Sequence, residues 1–177
     1  MWHRAAPVRC RAGLHVLGSG RGTHCPRSNS TKVPLPLELS EIVAGAVAYL
    51  DPSILRGDLR VRPPAAPTTR EGPFICVQAD EGMSTWAPLT TKDPRQVRLF
   101  IRLEWRTGGT EKWKRDDQYL NDGATTYVGP NESFVAAAAN EIPITMCERG
   151  GIKPDGLAEI RKEIVGRGGC LGPTAGL

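Results

Sequence analysis

Two apolar segments in the middle of the chain predict neighbouring β-strands. Residues 74–78 read Phe-Ile-Cys-Val-Gln, and residues 84–89 read Ser-Thr-Trp-Ala-Pro-Leu. Between them, residues 80–82 read Asp-Glu-Gly, which are residue types of a reversing turn. Thr90 and Thr91 follow the second segment. The pattern predicts a β-hairpin within a small β-barrel, with a polar site where the second strand ends.

Other periodic segments predict the remaining elements of one domain. Residues 96–105 alternate between apolar and polar side chains, as a half-buried strand does, and this would put Arg98 and Arg102 on one face. Shorter patterns predict a helical turn at 37–43, strands at 46–50, 125–128 and 142–147, and a helix at 131–140 capped by Asn131 or Ser133.

A helix is predicted over residues 154–166. Pro154 suits the first helical position, and Asp155 complements the positive end of the helix. Apolar residues recur at spacings of three and four, so one face of this helix is expected to cover the barrel. We expect a single core, formed by Phe74, Val77, Trp86, Leu89, Leu99 and Ile101, with Leu157, Ile160 and Ile164 packed over one end.

Two long segments carry no such period and are expected to be loops. Residues 53–71 contain three prolines and four arginines, among them Arg62 and Arg70. Residues 107–123 contain Trp113 between Lys112 and Lys114. These flanking lysines predict that the Trp113 indole faces solvent, where it would contact a nucleobase or a partner, whereas Trp86 and Trp105 are expected in the core.

Length and composition fit one modest domain. The chain has 177 residues, of which 40% are hydrophobic, and no apolar run approaches the ~20 residues of a membrane span. We expect a disordered basic leader at 1–33, one domain at 34–168 and a disordered tail at 169–177. The fold class predicted is α+β, mainly β, as a small β-barrel with long loops and a C-terminal helix.

The net charge of +4 is unevenly distributed. Residues 1–33 hold six basic residues and no acid, so 17 basic residues and 19 acids remain in the rest of the chain, a net charge of −2. A phosphate contact would therefore need a local basic patch on the body.

Histidine and cysteine usage excludes several kinds of chemistry. All three histidines lie in the leader, which excludes histidine-based acid–base catalysis, a Ser-His-Asp triad and histidine-containing zinc sites from the body. The five cysteines show no paired spacing and there is no signal peptide, which predicts a reduced cytoplasmic chain. No metal or other cofactor is expected, and Cys76 is interpreted as a core residue.

Four blocks in a fixed order give the chain a resemblance to the MazF/PemK family. The blocks are Gly-Ala-Val-Ala-Tyr-Leu-Asp-Pro at 45–52, Gly-Pro-Phe-Ile-Cys-Val at 72–77, Trp-Ala-Pro-Leu-Thr-Thr-Lys at 86–92 and a helical block at 152–164. Members of that family are SH3-like barrels and homodimeric toxins that cleave single-stranded RNA without a metal. The resemblance covers roughly residues 43–166 and implies a small acidic antitoxin as partner.

The resemblance also implies a site. Thr90 stands where the family has a threonine at the end of its third strand, and Arg70 is the counterpart of an arginine that precedes a proline. Here the order is Arg70-Glu71-Gly72-Pro73, so the arginine is displaced by two residues. Arg70 and Thr90 are the expected catalytic pair.

The expected substrate-binding residues are Arg62, which could substitute for Arg70, together with Thr91, Lys92 and Trp113.

Two interpretations stay open at this point, the ribonuclease and a non-catalytic interaction module. Thr90 and Thr91 can simply end a strand, with the arginines solvated in a loop. The protein would then be a catalytically silent SH3-like barrel that acts as a protein or nucleic-acid interaction module.

Overall fold

The computed structural model describes residues 37–68, 70–92, 99–121, 125–138 and 149–172. The expected leader, the predicted strand at 142–147, Arg98 and residues 173–177 lie outside these ranges. The described strands are β1 (Val47–Leu50), β2 (Gly72–Asp80), β3 (Met83–Thr90), β4 (Arg106–Thr107), β5 (Tyr119–Leu120), β6 (Tyr127–Pro130) and β7 (Gly151–Ile152). The helices are α1 (Pro52–Gly57), α2 (Glu111–Arg115), α3 (Asn131–Ala137) and α4 (Pro154–Gly166), with 3-10 turns at Leu39–Glu41 and Leu103–Trp105.

The predicted hairpin is confirmed as β2 and β3, the central strands of an antiparallel sheet. Its turn is Glu81–Gly82, where Gly82 takes a φ of +76° that favours glycine. β1 lies along β2, while β6 and β5 pair with successive parts of β3. A bulge falls at Val77, and its carbonyl accepts a hydrogen bond of 2.7 Å from Arg161 Nε of α4.

The expected single core is wrong, because the sheet is buried on both faces. Successive residues of β2 enter different clusters: Phe74 and Cys76 belong to the first, Ile75 and Val77 to the second. On β3, Trp86 joins the first cluster, whereas Ala87 and Leu89 join the second. Burial on both faces explains why these strands read as continuous apolar runs rather than alternating ones.

The first face is covered by α1 and α3. Asp51 caps α1 by accepting a hydrogen bond of 2.7 Å from Ser53 N, and Pro52 occupies the first helical turn. The 53–71 segment is therefore not wholly a loop. Helix α3 begins at Asn131 as predicted but ends at Ala137, before the predicted end at residue 140. Its predicted cap is wrong, because Pro130 stands at the capping position and the Ser133 hydroxyl instead donates to Asp58 Oδ2 at 2.6 Å.

The second face is covered by α4, whose predicted bounds are confirmed. Leu157, Ile160 and Ile164 all lie in the second cluster. Residues 169–172, expected in the disordered tail, also contact the body: Cys170 O accepts a hydrogen bond of 3.1 Å from Thr126, and Leu171 packs on the second cluster.

The strand predicted at 96–105 is wrong in its described part. Phe100 makes a single bridge to Tyr119, and a 3-10 turn begins at Leu103. Ile101 is the one fully buried residue of residues 99–105, and its N–H donates to Gln118 O at 2.8 Å. Within the described ranges, the backbone here is held by residues 106–120, including the bond of 2.9 Å from Leu120 N to Leu99 O.

The α+β class is confirmed. In the parts of the chain that the structure describes, the strands form a five-stranded antiparallel sheet and a separate β4–β7 pair, with no closed barrel. No helix among these residues is long and apolar enough to cross a membrane.

Candidate functional site

The open end of the β2–β3 hairpin carries four of the residues expected to form the site, Arg70, Thr90, Thr91 and Lys92. The last paired residues of the hairpin are Phe74 and Pro88, and beyond them β2 reaches back to Gly72 while β3 continues to Thr90. Arg70 comes two residues before Gly72, and Lys92 two residues after Thr90. Arg70 and Lys92 are exposed, so this end of the sheet presents two cations beside a threonine.

The Thr90 hydroxyl is oriented by a local hydrogen bond. Thr90 Oγ1 accepts the backbone N–H of Lys92 at 3.2 Å, a common arrangement where a strand turns away. This bond uses a lone pair of the oxygen, so the hydroxyl proton remains available for donation. Thr91, between them, is exposed and can take part in the same surface.

Charged and phenolic groups border this end. Tyr49 of β1 is paired with Pro73, and burial together with the Glu71 carboxylate raises the pKa of its phenol. Tyr49 therefore stays protonated at neutral pH and can act as a hydrogen-bond donor. On the other side, Thr90 is the register partner of Tyr119 in β5.

Arg62 is placed away from this end. Its backbone N–H and C=O pair with Val128 of β6 at 2.7 and 3.1 Å, and Val128 is the register partner of Thr85. Thr85 precedes Thr90 by five residues, or roughly 17 Å of strand. The sheet thus separates the Arg62 backbone from Thr90, so that Arg70, and not Arg62, lies at the Thr90 end.

The expectation that Trp113 faces solvent is wrong. The residue is only 6% exposed, and its indole Nε1 donates to Thr107 O at 3.1 Å. Gly109 and Gly150 both lie against its ring, where a side chain would collide or crowd. Trp86 is buried as expected, and Trp105 is partly buried against the second cluster. Trp113 is therefore not accessible to a nucleobase.

Arg106 organises this region, and the sequence reasoning missed it. Its guanidinium donates to the carbonyls of Ile101, Trp113 (2.9 Å) and Asp116 (2.7 Å) and lies 5.3 Å from the centroid of the Trp113 ring. Burial lowers its pKa, against the opposing effect of nearby aspartates. The glycine pair before α2, which lets Trp113 fold back, was the available signal in the sequence.

A pocket of about 290 Å³ opens beside Arg106. It is lined by Leu103, Arg106, Thr107, Gly108 and Lys114. Most of the guanidinium N–H groups are already donated to backbone carbonyls, so the pocket has limited polar capacity for a ligand.

Among the described residues, metal ligation would depend on clusters of ligand side chains, and thiol catalysis on a thiol such as that of Cys76. No group of three or more His, Cys, Asp or Glu side chains within the described ranges could hold a metal ion. Burial raises the pKa of the Cys76 thiol to about 12, so at neutral pH it is not a nucleophile.

Comparisons of the chain with protein-family models, with curated proteins and with solved structures found no match.

Proposed function

We propose that the protein is a toxin-like endoribonuclease that cleaves single-stranded RNA without a metal. The observation that carries the proposal is that Arg70 and Thr90 lie at the same end of the β2–β3 hairpin, with Lys92 beside them. The ordered sequence blocks that resemble the MazF/PemK family support the same assignment, and with it an SH3-like barrel fold.

The chemistry requires few groups. The ribose 2′-oxygen forms a bond to the adjacent phosphorus as its proton is removed, the bond from phosphorus to the 5′-oxygen breaks, and solvent water protonates the departing 5′-oxygen, which gives a 2′,3′-cyclic phosphate and a 5′-hydroxyl. Arg70 stabilises the charge on the phosphorane-like transition state, and the Thr90 O–H donates to one of its oxygens. Glu71, exposed beside Arg70, offers a carboxylate to accept the 2′-hydroxyl proton.

The partners proposed follow from the same surface. A small acidic antitoxin would complement Arg70 and Lys92 and cover the site, and a homodimer would present two such sites. An open reading frame for a small acidic protein next to that of the toxin is the expected gene arrangement.

Induced expression tests the proposal. Growth and the integrity of total RNA are followed together for the wild type, Arg70→Ala, Thr90→Val and the control Arg115→Ala. Arg115 has a 79% exposed side chain in α2 and pairs with Glu111 at 3.1 Å. The expected result is arrested growth and degraded RNA for the wild type and Arg115→Ala, a complete loss of both effects for Arg70→Ala, and a smaller loss for Thr90→Val. Harmless wild-type protein with intact RNA contradicts the proposal.

The second candidate is a catalytically silent SH3-like interaction module. The observation favouring it is the Lys92 N–H bond to the Thr90 hydroxyl, which by itself explains why a threonine ends β3. On this reading the wild type neither cleaves RNA nor slows growth, and the hairpin end serves as a docking surface.

A further inference from the structure

An aromatic and basic surface lies directly beside Thr90. It consists of the rings of Phe100 and Tyr119, with the exposed cations Arg102 and Lys92 two residues along the chain from Phe100 and from Thr90, and we refer to it as the Phe100 surface. The rings of Phe100 and Tyr119 have centroids 5.4 Å apart, and Tyr119 is the register partner of Thr90. Paired residues of antiparallel strands are roughly 5 Å apart, so the aromatic pair adjoins the proposed catalytic threonine.

The Phe100 surface faces outward for a reason visible in the backbone. Ile101 is fully buried and its N–H is bonded to Gln118 O, which turns its neighbours Phe100 and Arg102 toward solvent. Phe100 is 38% exposed. The Arg102 side chain is 61% exposed, lies 5.0 Å over the Trp105 ring and is 3.8 Å from the Glu104 carboxylate.

The Phe100 ring is also supported from inside the protein. The buried Arg106 guanidinium lies 5.9 Å from its ring centroid and is itself fixed by three backbone carbonyls. A ring held in this way loses little conformational freedom when a second planar group stacks on it.

We propose that the Phe100 surface binds a nucleobase of a single-stranded nucleic acid whose neighbouring phosphate lies at Arg70 and Thr90. This proposal rests on the proposed function and deepens it. Aromatic rings interleaved with exposed cations are the features that hold single strands, because bases stack on the rings while the cations meet the phosphates. The cations at the margin favour a polyanion over an apolar protein partner.

The aromatic contact that the sequence suggested at Trp113 lies instead at Phe100 and Tyr119. That indole is buried in the 106–118 segment, whereas Phe100 and Tyr119 stand on the same side of the sheet end as Thr90. A single base stacked here leaves sequence readout weak, so binding should tolerate different bases.

Binding is tested with a fluorescently labelled single-stranded oligonucleotide carrying 2′-O-methyl riboses, which removes the attacking hydroxyl and separates binding from cleavage. Its dissociation constant is measured at fixed salt by anisotropy. Phe100→Leu keeps an apolar side chain but lacks a π-face, and should weaken binding roughly tenfold. Phe100→Trp should bind at least as tightly as the wild type. The control Leu59→Ala, at a fully exposed apolar residue, should leave the dissociation constant unchanged.

Several outcomes would overturn the proposal. Three concern binding: an unchanged dissociation constant for Phe100→Leu, an equal loss of affinity for Leu59→Ala, or a wild type that does not bind the oligonucleotide. The fourth is a change of oligomeric state with Phe100→Leu in size-exclusion chromatography, which would assign the ring to a protein–protein contact. If Phe100→Leu does not fold, Tyr119→Leu repeats the test on the other ring. Binding without cleavage of unmodified RNA contradicts only the ribonuclease, whereas cleavage with unaltered Phe100→Leu binding contradicts only the Phe100 surface.

Discussion

Replacing Ile160 by alanine should destabilise the domain because this side chain joins α4 to the second face of the sheet. Ile160 is fully buried, in one cluster with Ile75 and Val77 of β2. The substitution removes three carbons, or about 2.4 kcal/mol of transfer free energy at about 0.8 kcal/mol each. A residual cavity adds to this loss and the better helix propensity of alanine subtracts a few tenths, so we expect a total of about 2–5 kcal/mol.

The same helix supplies a matched control. Val165 is 58% exposed, so Val165→Ala removes two carbons that are mostly in water already. Its effect on the free energy of unfolding should stay within about 0.5 kcal/mol. The difference between the two variants isolates burial from helix propensity.

Urea unfolding followed by tryptophan fluorescence measures both variants. Trp86 and Trp113 are buried in different clusters, so their emission reports the loss of both faces. The wild type and the variants should share one m-value and differ in midpoint. Equal midpoints for Ile160→Ala and Val165→Ala would refute the packing of α4 on the sheet.

Three further predictions concern side chains with defined partners. Arg106→Met leaves the buried carbonyls of Ile101 and Trp113 without their guanidinium donors. It should lower the free energy of unfolding by at least about 2 kcal/mol in the same urea assay. Arg106→Lys should not restore this stability, because an ammonium cannot span these carbonyls. Hydrogen bonds from Arg60 and Ser133 hold the pKa of Asp58 below its ordinary 3.8. The resulting stabilisation is fully present above the ordinary pKa of the unfolded state and is lost as the pH falls through the lower pKa of the folded state. Asp58→Asn removes this contribution, so it should flatten the fall in Tm between about pH 5 and pH 2, measured by circular dichroism. Cys76, whose thiol pKa is raised to about 12 by burial, should react with iodoacetamide at neutral pH only after unfolding, as read by peptide mass spectrometry.

The sequence predicted those elements whose apolar pattern agrees with their local chemistry. The β2–β3 hairpin has two apolar runs around a Glu-Gly turn, and α4 has its proline, its aspartate and its apolar stripe in the expected positions. The same runs also contained the signal that both faces of the sheet are buried, because a one-sided strand would have alternated.

The errors arose where tertiary contacts override local pattern. Residues 99–105 alternate but have no long partner strand among the residues that the structure describes, and the Arg106 side chain holds this backbone from within. Trp113 has charged neighbours, yet a pair of glycines lets its ring fold back under Arg106. Neither contact is encoded in a local period, so both required the structure.

A joint catalytic role for Arg70 and Thr90 was implied by the family resemblance, while the predicted hairpin alone places the residues before its first strand and after its second at one end. The hairpin register is what brings these positions to the same end. The catalytic role of the displaced Arg70 remains a prediction of that resemblance. The substrate-binding roles of Thr91 and Lys92 also remain predictions.

Cleavage of a short single-stranded RNA by purified protein in the presence of EDTA tests the central claim most directly. Mass spectrometry identifies the product ends, and Arg70→Ala purified in the same way controls for contaminating nucleases. We expect 2′,3′-cyclic phosphate and 5′-hydroxyl ends from the wild type, and intact RNA with Arg70→Ala. RNA that stays whole with the wild type, or that is cut equally by Arg70→Ala, contradicts the assignment of this end of the hairpin as a ribonuclease site.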